Sequence, residues 1–179
     1  MIGEMRDGET AQIAVQSALT GHLVLSTLHT NTAAGAVIRM QDMGVEPYLI
    51  TSAVNGVLAQ RLVRTLCEHC KEAYEPGAEV RESTGLSRFC VPGKLVYRAV
   101  GCEQCRQSGY RGRTGIHELL SIDEPMRRAI IEGRDANVLN SIAAQSGMLS
   151  LYEDGLRKVA AGSTTLDELA RVTQDQSDV

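Results

Sequence analysis

The chain has 179 residues, enough for one domain of ordinary size or two small ones. Hydrophobic residues make up 43% of it but aromatics only 3%, so aliphatic side chains must fill the core and a base-stacking platform is excluded. The net charge of −4 argues against a nucleic-acid partner, which needs a basic face.

Met1-Ile2-Gly3-Glu4 reads as the end of a strand, an opening expected of a piece of a longer chain. Asp7 is a helix N-cap, Glu9 lies in the first turn, and Ala11, Ala14, Val15 and Ala18 make a helical stripe. Gly21 suits the C′ position. Leu23-Val24-Leu25, with Leu28 beyond, predicts a strand buried on both faces. Asn31 or Thr32 caps a second helix through Ala33, Ala36, Val37 and Met40, ended by Gly44. Pro47 opens a third helix, expected to reach Gln60 through Leu49, Ala53, Val57 and Leu58. Leu62-Val63 is a further strand. Residues 1–66 thus read as α/β with a mostly parallel sheet.

At Cys67 the pattern breaks. Pro76, Gly77, Gly85, Pro92 and Gly93 mark a loop-rich insertion with at most one hairpin. Regularity returns near Tyr110, with a strand over Ile116–Leu120 and a helix capped by Asp123 that carries Met126, Ala129 and Ile130. Helices follow at 137–145, 149–161 and 165–172, the last with a Thr165/Glu168 capping box. Asp175–Val179 read as a frayed end. The expected domains are 1–66, 67–109 and 110–179, the third mainly helical. No apolar run is long enough to cross a bilayer, and no signal peptide is recognisable. The expected setting is cytoplasmic, where disulfides are rare, so the five cysteines need another explanation.

Cys67/Cys70 and Cys102/Cys105 are two C-x-x-C pairs, 31 residues apart. Each pair offers two thiolates from one knuckle, and two knuckles complete a tetrahedral structural zinc site. Free thiols or a redox pair are the alternatives, but a redox C-x-x-C usually occurs singly. A core-poor insertion would also gain its stability from a metal. Cys90 is left over, and His69 lies between two of the ligands.

Glu4 and His29 both fall at the carboxyl ends of predicted strands, where open α/β sheets bind ligands. His22 begins the second strand, roughly 20 Å from His29 at about 3.3 Å per residue. On periodicity alone, all three also fit a surface carboxylate and satisfied loop or strand-edge histidines.

Gly3-Glu4-Met5-Arg6-Asp7, the run from Thr20 to Asn31 and Ala59-Gln60-Arg61-Leu62 resemble segments of the type II secretion and type IV pilus assembly ATPases. So do Gly109 to Ile116 and Asp154-Gly155-Leu156, and the matches come in the family's order over essentially the whole chain. The resemblance implies the carboxyl-terminal part of a hexameric motor with a RecA-like P-loop NTPase core at the cytoplasmic face of the inner membrane. Such a motor uses ATP and Mg2+ to assemble pilin-like subunits. Its partners would be platform proteins of the inner membrane and cytoplasmic secretion proteins, with membrane association indirect. The first segment resembles the end of the Walker B region, with Glu4 as its glutamate. The second resembles the histidine box, which places His29 near the γ-phosphate. His22 and Arg61, and with them Arg64, are candidates for phosphate or subunit contact, and Arg111 and Arg113 for structural contacts. The four cysteines match the family's tetracysteine motif and favour a secretion or pilus-extension motor over a retraction motor. No G-x-x-x-x-G-K-[ST] occurs in these residues, so the chain alone is not expected to bind ATP well or hydrolyse it. A zinc-stabilised interaction module docking on a membrane platform is the competing reading. A zinc-ribbon nucleic-acid binder is disfavoured by the acidic balance.

Overall fold

Most of the described helices begin where a side chain takes up a free amide. A computed structural model describes residues 1–173. Asp7 Oδ1 accepts the Thr10 N–H at 2.8 Å and opens α1 (Gly8–Leu19). Thr32 opens α2 (Ala33–Asp42). The Glu46-Pro47 step opens α3 (Pro47–Ala53). Downstream, Asp123 caps α5 (Glu124–Ile131), Asp135 caps α6 (Ala136–Gln145), and Ser150 with Glu153 forms a capping box on α7 (Leu151–Ala160). In α8 (Leu166–Thr173), Thr165 Oγ1 accepts the Glu168 N–H, but the Glu168 carboxylate turns elsewhere.

The third helix is shorter than the pattern predicts. It stops at Ala53, and residues 56–66 form strand β1 (Gly56–Leu66). Val57 and Leu58, expected on a helical face, instead alternate between half-buried and exposed. Asn55-Gly56 interrupts the helix, and the two-residue period that follows suits a pleat. Leu62-Val63 lies within this same strand, and the expected strand at 116–120 is the end of the longer β4 (Tyr110–Ser121). β1 pairs with β4, and β2 (Glu72–Tyr74) pairs antiparallel with β3 (Val96–Arg98). Between β2 and β3 lie α4 (Ala78–Ser83) and a single tight turn at 86–88.

The parallel sheet expected over residues 1–66 is not formed among the described residues. Residues 2–5 and 25–27 do run side by side in the same direction, through Ile2 N–H to Leu25 O and Met5 N–H to Thr27 O, but make no regular strand. Leu23 and Leu25 are 80% and 58% exposed, so this segment is not buried on both faces.

Packing divides the chain into two units, each discontinuous in sequence: Met1–Ala59 with Glu118–Met148, and Gln60–His117 with the residues from Leu149 onward. These boundaries cut across the three consecutive segments 1–66, 67–109 and 110–179. The reason is that β1 and β4 each contribute residues to both units. The core of the first unit joins Val15, Val37, Met40 and Ile50 to Leu120, Ile130 and Leu139. The core of the second joins Val63, Leu86, Cys90 and Val96 to Ile116, Leu156 and Leu169. The cysteine insertion therefore shares a core with the terminal helices rather than lacking one. α7 and α8 pack so closely that a Cβ on Gly155 would collide with Leu169 Cδ1. The residues 175–179, read as frayed, lie outside the described residues. No described helix is long and apolar enough to cross a membrane.

Candidate functional site

The second unit brings four thiols together. Each C-x-x-C pair sits on a tight turn: the Cys70 and Lys71 amides donate to Cys67 O, and the Cys105 and Gln107 amides donate to Cys102 O. Arg106 and Gln107 adopt φ of 54° and 61°, so the second knuckle bends sharply. Gly109, at φ 74°, lets the chain turn back to accept the Cys67 N–H at 3.0 Å, and a Cβ there would meet that of Ala99 at 2.6 Å. The Sγ atoms of Cys67, Cys70, Cys102 and Cys105 all lie within 4.8 Å of one another. Three of the separations are 3.9 Å (Cys67–Cys102), 3.8 Å (Cys70–Cys105) and 3.8 Å (Cys102–Cys105). A tetrahedron with metal–sulfur bonds of about 2.3 Å has edges of about 3.8 Å, so the cage fits an ion held by four thiolates.

Backbone amides prepare the cage for negative charge. Gly101 N–H points at Cys70 Sγ at 3.3 Å, and the N–H groups of Cys102 and Gly109 point at Cys105 Sγ at 3.2 Å each. Burial opposes ionisation of Cys105, but these two amides and the neighbouring thiols bring it down to about 6. Burial dominates at Cys70 and pushes it up to about 11. Exposed His69 is outside the cluster, and Cys90 lies in the apolar core with its Sγ 3.6 Å from Lys94 O.

The first unit carries the other candidates. Glu4 Oε1 lies 2.9 Å from His29 Nε2, and its Oε2 accepts from Arg6 at 2.6 Å. The Arg6 hydrogen bond, with the charges of Arg6 and His29, holds the Glu4 carboxyl below its usual range. His29 is 87% exposed at its side chain, so the pair faces solvent. His22 is placed elsewhere, at the end of α1, with Nδ1 3.2 Å from both Ser17 O and Thr20 Oγ1. Arg61, in the second unit, is half-buried on β1 and donates to Gln60 O at 3.2 Å. Arg64 stacks on the Tyr110 ring at 4.0 Å and chelates Glu168. Arg111 and Arg113 are exposed on β4.

Two buried acidic residues hold roles that the sequence reading did not assign to them. Glu168, 1% exposed, accepts five hydrogen bonds from Arg64 and Arg171. Burial alone would raise its pKa, but these donors hold it down at about 2. Glu118 is buried on β4, where its Oε1 accepts the Ala33 N–H at 2.8 Å. Its signal was available: residues 116, 118 and 120 form the inward face of the strand, and an acid there demands a donor.

A family profile described as Type II/IV secretion system protein matches residues 1–171. The chain is 55% identical over 175 residues to the Type II secretion system protein HxcR of Pseudomonas aeruginosa, covering 98% of this chain and 33% of that protein. It is 53% identical to the Type II secretion system ATPase E of Vibrio cholerae, covering 98% of this chain and 34% of that protein. To the Type IV pilus assembly ATPase PilB of Thermus thermophilus it is 51% identical, covering 97% and 20%. The chain thus spans about a third or less of the length of these relatives. Among solved structures, the pilus retraction motor PilT with bound ADP superposes with a TM-score of 0.62 at 23% identity, covering 99% of this chain and 40% of that one. The ATPase DotB of Legionella pneumophila gives 0.58 at 22% identity, covering 95% and 37%. At these identities the two structures bear on the fold alone.

Proposed function

The chain belongs to the type II/IV secretion system protein family, and from that premise we propose that it is the carboxyl-terminal part of a hexameric motor ATPase that assembles pilin-like subunits for type II protein secretion. The observation that carries this reading is the 2.9 Å contact between Glu4 and His29, two residues 25 positions apart in sequence. Glu4 is the Walker B glutamate and His29 approaches the γ-phosphate. Because Arg6 keeps Glu4 ionised, its carboxylate is better suited to orienting the attacking water than to storing a proton, for which a pKa near the working pH is best. His22 acts through subunit contact or local geometry, and Arg61 through phosphate or a neighbouring subunit.

Residues 2–5 and 25–27 belong, on this reading, to a mostly parallel RecA-like sheet. Their same-direction hydrogen bonds support it. Zinc is the ion assigned to Cys67, Cys70, Cys102 and Cys105, because four thiolates suit it and leave no open position. When bound it supplies a structural crosslink between the two knuckles. ATP and Mg2+ belong to the complete protein, whose platform and secretion-system partners hold it at the cytoplasmic face of the inner membrane. A role in pilus extension is the second reading, favoured by the 51% identity to a pilus assembly ATPase.

The test is ATP affinity measured beside turnover in the complete protein. Glu4→Gln is expected to lower turnover by about 10²–10⁴ with ATP binding intact. His29→Ala is expected to lower turnover less. Binding and turnover falling together, or normal hydrolysis in Glu4→Gln, would remove the Walker B assignment and leave the binding-module reading.

A further inference from the structure

Ala33 is the first residue of α2, and a first-turn amide has no acceptor inside its own helix. Here the acceptor is Glu118, from a strand 85 residues downstream. Two further contacts of the turn are local: Thr32 Oγ1 accepts the Gly35 N–H at 3.0 Å, and Thr30 Oγ1 donates to Thr32 O at 3.1 Å. Thr32 already caps the helix, so capping alone does not call for a carboxylate. Burying one is unfavourable unless donors meet it. An amide at the positive end of a helix is such a donor. What Glu118 adds is an attachment of this turn to β4. His29 immediately precedes the turn, and its imidazole meets Glu4.

We propose that Glu118 is a positioning residue: by pinning the start of α2 to β4 it sets where His29 stands against Glu4, and so governs hydrolysis without touching nucleotide. This rests on the reading of Glu4 and His29 as the hydrolytic pair.

Two measurements test it. Amide hydrogen exchange on the 179-residue chain reads the contact without catalysis. The Ala33 amide is expected to exchange about tenfold faster in Glu118→Ala than in the parent, with Glu118→Gln close to the parent because its amide oxygen still accepts. In the complete protein, Glu118→Ala is expected to lower kcat at least about tenfold with ATP affinity within about twofold of the parent, and Glu118→Gln to retain most of the activity. In a Glu4→Gln background the same Ala substitution should cost little more, since both act through one pair. An unprotected Ala33 amide in the parent overturns the proposal. So does a kcat loss that adds fully to that of Glu4→Gln, or one accompanied by equal loss of ATP affinity. Normal hydrolysis in Glu4→Gln removes the hydrolytic reading and with it this role. A normal kcat in Glu118→Ala beside a dead Glu4→Gln removes only Glu118.

Discussion

The two candidate centres differ in how much of their chemistry they contain. The cysteine cage of the second unit is complete: four ligands, three amides aimed at sulfur, and a shared core behind them. The Glu4–His29 pair of the first unit is one carboxylate and one exposed imidazole, with no phosphate-cradling loop anywhere in the sequence. A structural metal site needs only its own ligands to be whole. A hydrolytic site also needs the groups that hold the substrate, and Glu4 and His29 alone do not supply them.

The largest expected effect breaks the cage alone. Cys102→Ser should reduce bound zinc from one per chain to none and unfold the second unit. Cys90→Ser should keep the metal, since Cys90 lies outside the cage. Metal analysis beside unfolding followed separately in each unit measures both. Equal metal loss in the two variants would mean a different ligand set.

Next comes the buried carboxylate. Glu168→Gln should cost the second unit about 3 kcal/mol at neutral pH, because Arg64 and Arg171 lose their charged acceptor. The folded group lies at about 2 against an ordinary 4.5, so its contribution is present above the ordinary value and is lost as the pH falls toward 2. Urea titrations at several pH values should show parent and variant converging across that window. A difference that stays constant there would assign the effect to packing.

Gly155→Ala sets two terms against each other. The helix gains about 1 kcal/mol in propensity, while overpacking against Leu169 costs about 1–3 kcal/mol. Because Leu169 is fully buried and has little room to move, a net loss of about 1 kcal/mol is expected in the midpoint of the second unit. The smallest effect belongs to the first unit. Asp7→Ala removes the α1 cap and should cost about 1 kcal/mol or less there, leaving zinc content unchanged. Thermal unfolding with metal analysis checks both variants.

Local signals made much of this protein legible before its structure. Asp7, Thr32, Asp123 and the three- and four-residue apolar spacings marked α1, α2 and α5, because capping and helical stripes act within one or two turns. The paired C-x-x-C turns marked the four clustered thiols for the same reason: each knuckle is built from adjacent residues. Where local signals were ambiguous, the reading went astray. Val57 and Leu58 fit a helical stripe, and only pairing with β4 made that segment a strand. Leu23–Leu25 is apolar enough for a buried strand, yet burial depends on what covers it.

Composition and short-range pattern thus determined the helices, the cysteine cage and the family resemblance. The tertiary structure alone decided that β1 and β4 run through two discontinuous units, that Arg64 serves Glu168 across 104 residues, and that Glu118 holds the turn after His29. Such contacts have no local signature: a buried charge is tolerated only where distant backbone and side-chain donors converge on it, and that convergence exists only once the chain has folded.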